Sequence, residues 1–257
     1  MKNKLKEKIR KKENTLGIFQ VLGDASITEI IGYAGYDYVL IDSEHGPFDV
    51  ESAQHLIRAA KLAGTTPLVR VKDKARNSVL KMLDVGAMGL VIPNIHEVSE
   101  IKQLVKYGKY YPIGERGFGS TSGNTYLTAD YTKQGIESLF QTHNDETLMI
   151  PQCETKESLD NIEEIAQVDG VDGIFIGPYD LSVSLGIPGR TEDALIIEAV
   201  KRVIKACEAA GKFTIIYTDN MESIQKNFDL GVNSVTYSSD ASVLSEILSQ
   251  VKEKTRK

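Results

Sequence analysis

Short apolar runs alternate with stretches of helical period along nearly the whole chain. Runs rich in β-branched or other apolar residues, bounded by turn residues, predict strands at Gly17–Leu22, Tyr38–Asp42, Pro67–Arg70, Gly89–Ile92, Leu148–Gln152, Gly173–Ile176, Phe213–Tyr217 and Ser234–Tyr237. Between most of them, apolar positions three and four apart predict amphipathic helices at Ile27–Ala34, Val50–Ala63, Ala75–Val85, Val98–Tyr107, Leu159–Ala166, Leu195–Ala210, Ile224–Leu230 and Ser242–Val251. Glycine follows the apolar period at Gly64, Gly86, Gly211 and Gly231, where a helix ends most easily. Eight strand–helix units close most economically into a (β/α)8 barrel, and the GxGxxG and GxxxxGK[ST] signatures of open nucleotide-binding sheets are missing after the first strand.

Two stretches break the rhythm. Residues 2–12, KNKLKEKIRKK, place Leu5 and Ile9 four apart and predict a short lead-in helix with solvated lysines turned outward. Residues 111–145 form a long segment bearing glycine and threonine between strands four and five, expected as a loop that lids the site or meets a partner subunit.

The 257 residues, about 41% of them apolar, are enough for one barrel domain spanning 1–257. A net charge of −6 argues against a nucleic-acid binder. No run reaches the roughly 18 apolar residues of a membrane helix, nor is there a signal-peptide stretch at the start, so the expected location is the cytoplasm. Cys153 and Cys207 are too few for a disulfide framework and are not spaced as metal ligands.

In a barrel, chemistry gathers where strands end. Strand two opens onto Asp42, Glu44 and His45; strand three ends in Arg70; strand five delivers Gln152 and Glu154 on one face with Cys153 on the other; strand six is followed by a Gly177-Pro178 turn and Asp180. Each has a structural alternative: Asp42 as a helix cap, Arg70 as the partner of a nearby carboxylate, Gln152 and Glu154 as a polar patch under the long loop. Their joint occurrence on one rim favours a site. Glu154 and Asp180, with no cysteine and few histidines nearby, suit a hard divalent cation such as Mg²⁺ or Mn²⁺, with Co²⁺ a further option. Arg70 suits a carboxylate or a developing oxyanion, and His45 beside Asp42 has the makings of an oriented acid/base. A lysine Schiff base is disfavoured, Lys72 being the one candidate. His55, His96 and His143 read as ordinary surface or loop histidines, and Cys153 as packing.

From about Leu16 to Leu248 the chain resembles the HpcH/HpaI aldolase/citrate lyase family, the metal-dependent class II pyruvate aldolases such as 2,4-dihydroxyhept-2-ene-1,7-dioate aldolase and 2-dehydro-3-deoxyglucarate aldolase. The motifs that carry the resemblance are YDYVLIDSEHGPFD, PLVRV, KMLDVGAMGLVIPNI, YYPIGERGFGS, PQCETKESLDNIEEI and GVDGIFIGPYDLSVSLG. It implies a barrel of the phosphoenolpyruvate/pyruvate-binding type that cleaves a 4-hydroxy-2-oxo acid reversibly into pyruvate and an aldehyde. It also implies Glu154 and Asp180 as metal ligands, Arg70, Gln152 and the Gly177, Pro178, Tyr179 turn as substrate-binding, His45 with Asp42 as an acid/base dyad and Arg70 as a catalytic charge. Its assembly would be a homo-oligomer, a hexamer of exchanged C-terminal helices. Departures from the family pattern, Tyr217-Thr218-Asp219, YSSD at the end of strand eight, RTEDALIIEA and Glu115, are expected near the aldehyde half or a partner chain. A CoA-ester lyase of citrate-lyase type and a non-catalytic barrel binding metal and a 2-oxo acid are the alternatives.

Overall fold

The computed structural model describes residues 2–255. Eight parallel strands close in sequence order into a barrel: β1 Thr15–Gln20, β2 Tyr38–Asp42, β3 Thr66–Arg70, β4 Gly89–Ile92, β5 Leu148–Cys153, β6 Gly173–Ile176, β7 Phe213–Thr218 and β8 Ser234–Ser239. Around it stand α1 Lys4–Arg10, α2 Ala25–Tyr33, α3 Val50–Ala63, α4 Arg76–Asp84, α5 Val98–Gly108, α6 Ile136–Glu146, α7 Lys156–Asp160, α8 Ile162–Gln167, α9 Pro178–Ser184, α10 Ala194–Ala210, α11 Met221–Asp229 and α12 Asp240–Lys254. The (β/α)8 expectation is therefore met, with strand ends shifted by one or two residues.

Strand alternation sorts the core into two layers. Tyr38, Leu40, Leu68, Val91, Leu148, Ile150, Phe175, Phe213 and Ile215 fill the barrel interior, while Ile41, Val69, Leu90, Met149, Cys153, Ile174 and Ile216 pack against the helices. Gly17 shows how tightly the interior is filled. The Tyr38 ring lies over it to reach the Thr236 hydroxyl at 2.7 Å, and a Cβ at Gly17 would stand 2.1 Å from a ring carbon.

The lead-in helix α1 is more than a solvated appendage. Leu5 is fully buried and completes the interior cluster, so α1 stoppers the N-terminal end of the barrel. Its lysines are not all turned to water as expected: Lys6 pairs with Asp172 at 2.6 Å and Lys8 with Asp37 at 2.5 Å, because both acids stand in turns that lead into strands at that same rim.

The 111–145 segment is not a plain loop either, and it does not lid the site of its own chain. It contains two short 3-10 turns and α6, and its Gly123, Thr125 and Tyr131 stand with Lys4, Gly64, Thr66 and Met88 at the N-terminal end of the barrel. Buried Lys109, just before it, reaches Asp172 at 2.9 Å and the carbonyls of Asn144 and Thr147, and Arg116 pairs with Asp84 at the end of α4 at 2.8 Å. His143, expected at the surface, is only 3% exposed and sits against Tyr110 and Tyr131, with Phe140 stacked on Tyr110. Two further differences are local. The expected helix over 159–166 is interrupted at Asn161 (ψ 11°), and α9 follows directly on Gly177 because Pro178 suits a first helical position.

Candidate active site

At the C-terminal rim, a cavity of about 220 Å³ is lined by Asp42, His45, Arg70, Gln152, Asp180 and the Gly177–Tyr179 turn, over a floor that includes Phe19 and Phe175. Asp42, Arg70 and Gln152 converge because each lies at the end of an inward-facing alternation of its strand, while His45 and Asp180 follow in the turn after β2 and the first turn of α9.

β2 and β3 pair Asp42 opposite Arg70, and register decides what Asp42 does. Arg70 donates from Nε and Nη2 to the two carboxylate oxygens of Asp42 at 2.8 and 2.7 Å, and Nη1 lies 3.2 Å from Glu44. The guanidinium also lies 4.7 Å from the centre of the Phe19 ring. Burial alone would lower the pKa of Arg70, but the hydrogen bonds to Asp42 and the charges of Asp42, Glu44 and Glu154 raise it, so the cation is fixed.

The Asp42–His45 dyad takes a different form from the one expected. Asp42 accepts from the main-chain amides of Glu44 and His45 at 3.1 and 3.4 Å, and no hydrogen bond among the described residues joins it to the His45 ring. Arg70 occupies the carboxylate from the adjacent strand, while His45 stands exposed at the cavity mouth. Asp42 thus holds Arg70 and shapes the turn that carries His45. The helix-cap alternative for Asp42 falls away, since α3 is capped by Asp49.

Gln152 and Glu154 share a face, as alternation requires. The Gln152 amide donates to Glu154, whose other oxygen accepts the main-chain amide of Asn94 at 2.6 Å. Burial, joined by the charges of Asp180 and Glu44 and opposed by the Asn94 amide, pushes the Glu154 carboxyl up to about 7. Gly177 allows this closeness: a Cβ there would stand 3.0 Å from the Gln152 amide nitrogen and 3.1 Å from Glu154. Asp180 lies in the first turn of α9, facing the same cavity.

Two observations test whether these residues fit a cation. Glu154 resists ionisation beside two further carboxylates, which a divalent charge would reverse. The buried carbonyl oxygen of Gln152 has no hydrogen-bond partner among the described residues, which costs about 1–3 kcal/mol unless a ligand meets it. Oxygen donors of this kind suit a hard cation. Among the described residues no cluster of three His, Cys, Asp or Glu side chains is arranged to enclose a metal. Lys72 is exposed and outside the cavity lining, as the case against an imine requires. Glu115 also lies elsewhere, pairing with Lys106 at 3.6 Å on the outer surface rather than near the aldehyde half.

Sequence reasoning gave no role to Glu44, Phe19 or Asn94. Phe19 was available from alternation along β1. Asn94 follows β4 in the left-handed region (φ 55°), where asparagine is favoured, and so aims its amide at Glu154.

The family model for HpcH/HpaI aldolase/citrate lyase matches residues 15–244. The chain belongs to that family. It is 34% identical over 254 residues to 2-keto-3-deoxy-L-rhamnonate aldolase of Escherichia coli (strain K12), covering 97% of this chain and 92% of the relative. Among solved structures, an HpcH/HpaI aldolase from Desulfitobacterium hafniense DCB-2 superposes with a TM-score of 0.91 at 28% identity, covering 98% and 96% of the two chains. The citrate synthase SbnG superposes with a TM-score of 0.87 at 31% identity over the whole of both chains. Family membership agrees with the motif reading of the sequence. No helix among the described residues is long and apolar enough to cross a membrane.

Proposed function

We propose that this chain is a class II pyruvate aldolase that cleaves a 4-hydroxy-2-oxo acid to pyruvate and an aldehyde and also runs in reverse, working in the cytoplasm as a homo-oligomer. The observation that carries the reading is the meeting, at one rim, of a locked guanidinium with Asp180, the buried Glu154 carboxyl and a Gln152 amide oxygen that has no partner among the described residues. Homology to a named aldolase over nearly the full chain supports it.

In this reading Glu154 and Asp180 hold a divalent cation, Mg²⁺ or Mn²⁺. When bound, the cation supplies Lewis-acid polarisation of the 2-oxo group. Arg70, Gln152 and the Gly177–Tyr179 turn hold the pyruvate half. A ring nitrogen of His45 takes the proton of the 4-hydroxyl, the C3–C4 bond breaks with its electron pair passing toward the 2-oxo oxygen, and the aldehyde is freed. Arg70, kept in place by Asp42, Glu44 and Phe19, faces the negative charge that develops on the pyruvate half. Protonation at C3 then yields pyruvate.

Enolisation is the half-reaction that needs no knowledge of the aldehyde, so the test is deuterium exchange into the methyl group of pyruvate in D₂O, read by proton NMR. Exchange with Mg²⁺ or Mn²⁺ that stops on adding chelator is the expected result. No exchange under either condition sinks the reading and returns the CoA-ester and non-catalytic alternatives.

A further inference from the structure

Beyond the keto-acid cavity, and resting on the aldolase reading, the structure contains a second cavity of about 390 Å³ that shares Pro178, Tyr179 and Tyr217 with the first. The shared wall is ordered. The Tyr179 ring stands edge-on to Tyr217, with centroids 6.0 Å apart, and its hydroxyl donates to Asp219 at 2.7 Å. Tyr179 and Tyr217 line both cavities, so a group that extends from the keto-acid cavity into the second passes this pair.

The outer side of the wall sets apolar Ile196, Ile197, Val200 and Leu230 beside a strip of hydroxyl-binding groups. Thr191, Glu192, Thr218, Asp219 and Asn220 form that strip, offering hydroxyl, amide and carboxylate groups. Carboxylates accept from substrate hydroxyls at the strong end of the hydrogen-bond range, whereas a substrate carboxylate in the same place would face like charge. The cation nearest the keto-acid cavity, Arg70, is already bound by Asp42 and Glu44. Asp42, Asp180, Glu192 and Asp219 all line one or other cavity, and Lys226, exposed on α11, is the one lysine or arginine among the described residues that lines the outer cavity.

We infer that the hydrogen-bonded pair Tyr179–Asp219 is the specificity-determining element on the aldehyde side, admitting an uncharged hydroxyaldehyde of the kind released from a deoxy sugar acid and opposing an aldehyde that ends in a carboxylate.

The experiment uses the full-length chain with Mn²⁺ and saturating pyruvate in the aldol direction. The readout is the ratio of kcat/KM for glyceraldehyde to that for succinic semialdehyde, and a ratio taken within one protein cancels any loss of folded enzyme. The wild-type chain is expected to favour glyceraldehyde. Asp219→Asn, which keeps the shape and a hydrogen-bond acceptor while removing the charge, should shift the ratio toward succinic semialdehyde by about tenfold. Lys226→Ala should leave it where it is. An unmoved ratio in Asp219→Asn, or a selective loss of succinic semialdehyde turnover in Lys226→Ala, overturns the inference. Pyruvate exchange by the wild-type chain separates the two levels. Normal exchange with an unmoved ratio removes the specificity element alone, and absent exchange removes the aldolase reading and this element with it.

Discussion

Arg70 and Asp42 touch each other, yet they should fail in different ways when altered. Arg70 faces the substrate space, so Arg70→Ala should lower kcat/KM by about 10²–10³, the loss typical of one oxyanion donor. Asp42 works through buried Arg70 and through the turn that follows β2. Asp42→Ala leaves the guanidinium with Glu44 alone and should lower the unfolding free energy by about 3 kcal/mol, measured by urea denaturation of the metal-free protein. Equal stabilities for wild type and Asp42→Ala would show that Glu44 suffices to hold Arg70. Strand alternation made the pairing of faces legible, which is how Gln152 and Glu154 were placed together with Cys153 behind them. It did not reveal which neighbour would take the Asp42 carboxylate, since His45 is near in sequence and Arg70 only in register. Cross-strand register is a tertiary quantity, absent from any local window.

At the scale of elements, the same limit explains which segments were readable. The strands and the long helices repeat a strong period and are closed by glycine, so α3 fell at its predicted bounds. α6 lies in a segment where polar residues dilute the period, and its burial comes from distant partners. Those partners make α6 a titratable element. Burial, reinforced by the positive charge of Arg116, pushes His143 down to about 4, and its Nε2 has no hydrogen-bond partner among the described residues. The pKa in the fold lies below that of the unfolded chain, so the stabilisation is complete above about 6.5 and is lost as pH falls toward 4, where the unfolded chain takes up a proton that the fold refuses. The slope from this group should approach about 1.4 kcal/mol per pH unit within that window. Urea midpoints between pH 7 and 4 check it, and His143→Phe, suited to the ring cluster of Tyr110 and Phe140, should flatten the slope. An unchanged slope would assign the acid sensitivity to other groups. α1 offers a second test at this scale. Leu5→Ala removes the interior stopper and should cost about 2–5 kcal/mol, a loss that a merely solvated helix could not produce.

For the whole molecule, the remaining question is what covers the outside of α12. Leu244, Ile247, Leu248 and Val251 recur at three- and four-residue spacing and are 47%, 53%, 61% and 56% exposed. A stripe of this kind normally faces another surface, and α12 buries only Asp240, at its first turn. That residue ties the helix to the site. The Asp240 carboxylate accepts the main-chain amides of Val21 and Leu22 at 2.9 and 3.1 Å, and Val21 and Ser239 both line the keto-acid cavity. A second copy of the chain covering α12 would therefore steady one wall of the site as well as bury the stripe. The double substitution Leu244→Glu with Leu248→Glu places two charges on the stripe without touching the barrel core. Sedimentation velocity should show the wild-type chain as an oligomer and the variant at lower mass, with pyruvate exchange falling along with the oligomer because Val21 is no longer held from both sides. A variant that keeps its mass would assign the contact to another face. One that loses mass but exchanges pyruvate at the wild-type rate would separate assembly from the site, leaving Asp240 as a clamp that works within one chain.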